Sequence, residues 1–168
     1  PGGRDAGRIH KVATEVAGLK QLDHVIITHF HIDHFGGAAE LAALMPIANL
    51  WDNGLPDTDP DGNRGGGWQL RSKPYRELKA GQRHVVKPGA TIPLKSPGES
   101  ALELRCHITR QEAWTPPEIE AREPEAPVRP QLKAPDTSDN ANSSAWVLRF
   151  GDFRFYDGGD LTWNTEAK

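Results

Sequence analysis

The chain has 168 residues, of which 26% are charged, and its formal net charge is −3 at pH 7. This length suffices for one domain with a hydrophobic core, and the weakly acidic balance argues against a dedicated nucleic-acid coat or a basic membrane binder. The single cysteine, Cys106, excludes an intrachain disulfide, and no apolar run approaches the roughly 20 residues of a membrane span. No targeting segment is visible, so the sequence leaves the compartment open.

The first third of the sequence alternates between helix and strand patterns. Apolar residues at helical spacing predict a helix over Asp5–Lys20. The apolar face of this helix is formed by Ile9, Val12, Ala13, Val16 and Leu19. The β-branched run Val25–Ile27 predicts a strand buried on both faces, and a helix over Gly37–Met45 and a strand over Ile47–Trp51 follow. This alternation favours an α/β arrangement.

The middle of the chain is less regular. The segment DTDPDGNRGGGW, residues 57–68, predicts turns. His84–Leu94 predicts a hairpin, and Leu102–Ile108 predicts a single strand. A proline-rich stretch then predicts an irregular, exposed excursion over about residues 110–138.

The most informative segment is THFHIDHFGG, Thr28–Gly37, which we call the metal loop. Its candidate metal ligands are His29, His31, Asp33 and His34. Neutral imidazoles suit Zn²⁺, so the first two residues can share one ion while the last two face a second ion about 3.5–4 Å away. Gly36 and Gly37 would let the backbone pass close beneath the site, where a Cβ would clash. A chance cluster of surface histidines is the alternative.

The metal loop, with the strand DHVIIT before it, resembles the metal-binding signature of the metallo-β-lactamase superfamily. The far end of the chain supports this resemblance, because Ala145–Phe150 and Phe153–Tyr156 predict a hairpin that leads into Gly159 and Asp160. In that superfamily such a Gly-Asp commonly supplies the carboxylate that bridges two metals, which implies this role for Asp160. The stretch DNANSSAWVLRFGDFRFYDGGDLTWN is similar to the branch related to the hydrolase domain of the competence protein ComEC.

The resemblance implies an α/β fold of the αββα sandwich type, present as one incomplete domain over residues 1–168. The first hairpin of that fold would precede Pro1 and the last metal-binding histidine would follow Lys168, so we expect a piece of a longer protein, truncated at both ends. Where many members have a third histidine for the first metal, this sequence has Asn140. We therefore expect the chain to hold most of a site and to be weakly active or inactive by itself.

Other residues are weaker candidates. His107 could replace the third histidine and Cys106 could be a zinc thiolate, but each is more often a structural residue. Asp157 competes with Asp160 for the bridging role, and Asp160 is favoured because it follows a glycine. Asp23 either braces the metal loop or is an ordinary turn residue. The histidines expected to be structural are His10, His24 and His84.

A basic stretch bears on the substrate. Between Arg64 and Lys87, seven lysines and arginines stand against the single glutamate Glu77, so the local charge is seven minus one, or about +6. Such a surface near a metal site would attract a polyanion. A solvated basic loop is the more common explanation of such a stretch.

These observations predict a metal-dependent hydrolase that uses a metal-activated water, with Asp33 also orienting the nucleophile. The cofactor would be Zn²⁺, as two divalent ions in the full-length protein, with Mn²⁺ or Fe²⁺ as alternatives. The ComEC-like resemblance makes a phosphodiester the leading substrate class and leaves nucleic acid open as a partner; a small β-lactam or another ester or amide is the enzymatic alternative. A non-catalytic metal-binding or ligand-binding module with an incomplete site is the alternative from another class.

Overall fold

The computed structural model describes residues 3–96, 98, 100–117 and 131–167. The chain divides into two compact units, Pro1–Val85 and Val86–Lys168, which we call the N-terminal unit and the C-terminal unit. The sheet of the first unit is parallel and that of the second is antiparallel. The predicted mixed α/β class is therefore confirmed, whereas the sandwich arrangement, the truncation and the single domain stay predictions.

Among the described residues, the sheet of the N-terminal unit has the strand order β1-β2-β3. Its strands are β1 (Leu22–Ile26), β2 (Ile47–Asp52) and β3 (Gln82–Val85). The strand predicted around Val25 is confirmed, but its burial on both faces is wrong. β1 lies at an edge of this sheet, so Val25 and Ile26 are half-buried. The first core residue is Ile27, directly after the strand.

Helix α1 (Gly3–Lys11) continues into a π-helical turn, Val12–Val16. The predicted helix is confirmed from Asp5 to Val16, but its predicted extension to Lys20 is wrong. Its predicted apolar face is also wrong except at Ala13. The other members of that face are exposed: Ile9 by 50%, Val12 by 58%, Val16 by 80% and Leu19 by 44%. Ala6 and Ala13 pack into the core instead. A π turn closes hydrogen bonds over five residues, so it shifts the register of a pattern with a 3.6-residue period.

Two helices connect β1 to β2, namely α2 (Ile32–Phe35) and α3 (Ala38–Leu44). α2 buries Phe35, and α3 buries Ala38 and Leu41. The predicted helix over residues 37–45 and the predicted strand over residues 47–51 are thus confirmed within one residue at each end.

Helix α4 (Trp68–Glu77) follows the predicted turn segment, and the sequence analysis missed it. Its buried residues, Trp68, Ser72 and Tyr75, are four and three positions apart and therefore share one helical face. That spacing was the available signal. Pro74 within the helix obscures it, because proline normally ends a helix.

The predicted hairpin over His84–Leu94 is wrong. Its first half belongs to β3, which runs parallel to β2, while its second half holds β4 (Thr91–Ile92), which pairs antiparallel with β5 (Leu102–Thr109). A tight turn does separate them, with Gly89 at φ 82°. The turn signal was therefore correct, but the two strands join different sheets.

In the C-terminal unit, β5 pairs with β4, β6 and β7, and β7 pairs with β8. The other strands are β6 (Glu112–Ala113), β7 (Ala145–Phe150) and β8 (Phe153–Asp157). The predicted strand at residues 102–108 and the predicted C-terminal hairpin are confirmed, with Gly151 at φ 55° in the hairpin turn. A 3₁₀ turn, Asp139–Asn142, precedes β7, and α5 (Trp163–Glu166) follows β8.

The predicted excursion over residues 110–138 lies partly outside the described residues, which omit 118–130. Its described flanks are β6 and the segment 131–137, which has no regular secondary structure. The excursion therefore stays a prediction. Among the residues that the structure describes, no helix is long and apolar enough to cross a membrane.

Replacing Tyr75 with Phe should lower the free energy of unfolding by about 1–3 kcal/mol, because the carboxylate of Asp52 would lose a donor. The Tyr75 hydroxyl donates to Asp52 Oδ2 at 2.7 Å, and the two residues are only 1% and 6% exposed. Burial, together with the charge of Asp52, raises the pKa of Tyr75, so the hydroxyl keeps its proton at neutral pH. Urea unfolding measures the effect. Tyr156→Phe is the matched control, because that hydroxyl contacts Glu166 at an exposed position; equal losses in both variants would contradict the prediction.

Candidate metal centre

The metal loop connects β1 to α3 by way of α2. His31 precedes the first residue of α2, and its extended backbone, at φ −75° and ψ 144°, turns the chain from strand to helix. The N–H of His34 donates to the carbonyl of His31 at 2.9 Å, which closes the turn. Asp33 and His34 therefore lie on α2, directly after the extended segment that carries His29.

Two phenylalanines anchor the metal loop in the core. Phe30 and Phe35 are 2% and 1% exposed, and their ring centroids are 5.7 Å apart. Trp68 and Tyr75 of α4 complete what we call the aromatic cluster, with centroid distances of 5.5 Å (Phe30–Tyr75), 5.6 Å (Phe35–Tyr75) and 5.8 Å (Phe35–Trp68). Edge-to-face pairs at these distances stabilise packing beyond the area that they bury. The cluster fixes the backbone on both sides of the histidines between the two anchors.

The histidines of the metal loop face one another. His29 is fully buried, and its Nε2 lies 3.1 Å from Nδ1 of His31. The ring centroids of His29 and His34 are 4.1 Å apart, and these two residues offer ring nitrogens within 4.8 Å of each other. Two nitrogens bound to one tetrahedral zinc ion are about 3.3 Å apart, given Zn–N bonds of about 2.0–2.1 Å. The spacing of His29 and His31 therefore fits one shared ion.

Asp33 and His34 lie side by side on α2. Asp33 Oδ2 is 3.9 Å from His34 Nε2, and the side chains are 70% and 27% exposed. A carboxylate beside an imidazole is a donor set that suits a divalent ion. The predicted second ion is compatible with this placement, and the assignment stays a prediction.

The outer nitrogens of His29 and His31 have partners of their own. His31 Nε2 lies 3.0 and 3.1 Å from the two carboxylate oxygens of Asp61, and His29 Nδ1 lies 3.2 Å from the hydroxyl of Thr28. The sequence analysis missed Asp61, because a contact across 30 positions depends on the fold. Asp23, the residue considered for this place, is instead exposed in β1.

A cavity of about 310 Å³ opens beside His31 and Asp33. Its other lining residues are Phe30, Ile32, Phe35, Asp59, Pro60, Asp61, Asn63, Trp68 and Arg71. The lining combines aromatic rings with three carboxylates and one guanidinium. An apolar wall with a few charged groups is typical of a site for a small ligand.

Asp160 lies on the turn after β8 in the C-terminal unit. Its backbone N–H donates to Oγ of Ser143 at 3.3 Å, and Ser143 is fully buried. The competing carboxylate, Asp157, accepts from the N–H of Gly159 at 2.9 Å, which gives it a local role in the turn. The convergence of Asp160 with the metal loop stays a prediction.

Asn140, at the place of the expected third histidine, lies in the 3₁₀ turn before β7. Its Oδ1 is buried and has no hydrogen-bond partner among the residues that the structure describes. Leaving a buried acceptor unsatisfied costs about 1–3 kcal/mol. Amide oxygens also ligate divalent cations, so this oxygen is chemically compatible with a ligand role.

The weaker ligand candidates have local packing partners. Cys106 is fully buried, and burial raises the pKa of its thiol to about 12, which keeps it protonated at neutral pH. His107 packs edge-on against a tryptophan ring at 5.2 Å, and burial lowers its pKa. His24 accepts from the indole N–H of Trp51 at 3.1 Å, and His84 stacks on the same indole at 3.9 Å. These contacts favour structural roles.

Part of the basic stretch is engaged inside the N-terminal unit. Arg71 binds Asp59 at 2.5 Å, and Arg76 and Arg83 donate to backbone carbonyls at 2.8 and 3.1 Å. Lys73 also lies 3.8 Å from the carboxylate of Glu77, so at least four of the seven cations have internal acceptors. This favours a structural loop over a dedicated surface for a polyanion.

Comparison with known families agrees with the metal loop. The sequence model of the metallo-beta-lactamase superfamily matches residues 2–99, which is more than half of the chain. The matched residues include the metal loop and also Asp61, which lies in a part of the chain without a recognisable motif. Asp160 lies outside the matched residues. No curated protein matches the chain.

Gly36→Ala and Gly37→Ala should have different effects, although the residues are adjacent. A Cβ on Gly36 would overlap the carbonyl oxygen of Ile32, whereas a Cβ on Gly37 would meet no described heavy atom within 4 Å. The expected need for glycine therefore holds at Gly36 and is wrong at Gly37. We expect Gly36→Ala to lower the free energy of unfolding by about 1–3 kcal/mol and Gly37→Ala to leave it unchanged or raise it slightly. Chemical denaturation of both variants tests this, and equal midpoints would contradict it.

Proposed function

This chain belongs to the metallo-β-lactamase superfamily, and from that premise we propose that it is a metal-dependent hydrolase with a phosphodiester as its leading substrate class. Members of the superfamily are generally hydrolases and typically bind divalent metals. The observation that carries the proposal is the 3.1 Å approach of His29 Nε2 to His31 Nδ1. Two imidazoles at this spacing, beside a cavity, form the core of a zinc site.

The proposed ligands are His29, His31, Asp33, His34 and Asp160. The first two residues would hold one ion, the next two would hold a second ion, and the last carboxylate would contribute to both. Zn²⁺ suits the imidazoles, and Mn²⁺ or Fe²⁺ is the alternative. When bound, such ions polarise a phosphoryl oxygen and activate water near neutral pH.

Asp33 is the proposed catalytic carboxylate. Its side chain is 70% exposed and lines the cavity, so it can accept a hydrogen bond from a water molecule that enters there. That hydrogen bond would orient the water toward the substrate. The buried rings of Phe30 and Phe35 limit the approach of other water to the loop from the core side.

The substrate class rests on the C-terminal half of the chain. The similarity of residues 139–164 to the ComEC-related branch favours a phosphodiester. A β-lactam or another ester or amide is the enzymatic alternative, since one fold supports many reactions. A metal-binding module without turnover is the alternative from another class.

With added Zn²⁺ or Mn²⁺, the chain should hydrolyse bis(p-nitrophenyl) phosphate only slowly, because we expect its ligand set to be incomplete. A chelator should abolish the reaction, because the water then loses its activating ions. Nitrocefin and p-nitrophenyl acetate test the alternative substrates in the same buffer. Hydrolysis of either one without the phosphodiester would replace the proposed class. Bound metal without turnover of any of the three would support the non-catalytic module.

Asp160→Asn should lower the metal affinity and the phosphodiesterase rate together, by about 100-fold or more, because it removes a charge shared by both ions. Even the loss of a residue that only supports a ligand typically costs about 10–100-fold in affinity or activity. Asp157→Asn is the matched control, since its amide oxygen can still accept from Gly159. His107→Ala tests the alternative ligand and should leave the metal content unchanged. Elemental analysis and steady-state rates decide the matter. A fully active Asp160→Asn variant, or metal loss in His107→Ala, would rule out the assignment.

A further inference from the structure

We propose that Asp61 is a positioning residue that fixes the tautomer of His31 and so directs His31 Nδ1 at the metal. The inference rests on the proposed metal site of the metal loop. It concerns a residue that the motif does not contain and that lies 30 positions further along the chain.

The contact between Asp61 and His31 determines which ring nitrogen carries hydrogen. A carboxylate can only accept, and its two oxygens lie 3.0 and 3.1 Å from His31 Nε2. Nε2 is therefore the protonated nitrogen. In a neutral imidazole this leaves a lone pair on Nδ1, and metal-bound histidines are commonly oriented by such a partner.

His29 faces the Nδ1 acceptor of His31. Its own Nδ1 lies 3.2 Å from the hydroxyl of Thr28, which can donate to it or accept from it. In the metal-free chain, His29 Nε2 can therefore donate to His31 Nδ1 across 3.1 Å. A metal ion bound here would replace this hydrogen, provided that Thr28 then accepts from His29 Nδ1 and leaves a lone pair on His29 Nε2.

Asp61 is itself held in place from the side of α4. Its backbone N–H donates to Asp59 Oδ1 at 3.0 Å, and the side chain of Asp59 is only 7% exposed. Asp59 Oδ2 in turn binds Arg71 of α4 at 2.5 Å. Gly62, at φ 75°, reverses the chain directly after Asp61. The contacts of Asp59 therefore hold the turn in place, and this turn positions the Asp61 carboxylate against His31.

The test uses the whole 168-residue chain with ¹⁵N-labelled histidine. Long-range ¹H–¹⁵N spectra of the metal-free protein report the His31 tautomer, and competition with a chromogenic chelator reports the affinity for Zn²⁺. Asp61→Ala should convert His31 from the Nε2–H form to a mixture of tautomers and lower the Zn²⁺ affinity by about 10–100-fold. Asp61→Asn should retain most of both properties, because its amide oxygen still accepts from Nε2 and its volume is unchanged.

Asp57→Ala is the matched control, because that aspartate lies in the same turn segment with a fully exposed side chain; it should change neither readout. An Nδ1–H tautomer of His31 in the metal-free chain would overturn the proposal, and so would unchanged Zn²⁺ affinity in Asp61→Ala. If the unaltered chain bound no Zn²⁺, the proposed function would fail. The tautomer spectra would still decide the role of Asp61, since they require neither metal nor substrate.

Discussion

The aromatic cluster is the constraint on which the rest of the N-terminal unit depends. Phe30 and Phe35 belong to the metal loop itself, and both are almost completely buried against rings of α4. The histidines between them therefore cannot move independently of the core. A site that must hold imidazole nitrogens within a few tenths of an ångström gains this precision from packing, because buried rings have few alternative rotamers.

Helix α4 supports the candidate site in two ways, through the core under the metal loop and through the turn that carries Asp61. Its residues Trp68 and Tyr75 pack under the metal loop, while Arg71 of the same helix binds Asp59. Through the Asp59 turn, this ion pair supports the carboxylate that contacts His31. One element thus fixes both the backbone of the candidate ligands and the orientation of the ring of His31. Under the proposed function, a displacement of α4 would therefore lower the metal affinity without direct contact with a ligand.

The sequence predicts what is encoded locally and fails where long-range packing decides. The metal loop can be recognised in the sequence because its candidate ligands lie within six positions. The C-terminal hairpin can be predicted because its turn and strands are adjacent. The exposure of Val16, in the π-helical turn after α1, could not be predicted, since a π turn changes the helical period. The separation of β3 and β4 into different sheets could not be predicted, because a turn at Gly89 does not specify which sheet each strand joins. The contact of Asp61 with His31 could not be predicted either, because no spacing rule connects the two positions.

The charges of the cavity bear on how an anionic substrate could bind. Its lining includes Asp33, Asp59 and Asp61 against the single guanidinium of Arg71, and that guanidinium is already paired with Asp59. A phosphodiester that entered this cavity without metal would therefore meet net negative charge, since Arg76 and Arg83 do not line the cavity. Divalent ions on the metal loop would reverse that balance, because bound cations are often the largest charges in a site. Under the proposed function, metal binding would thus be a condition for recognising the substrate as well as for activating water.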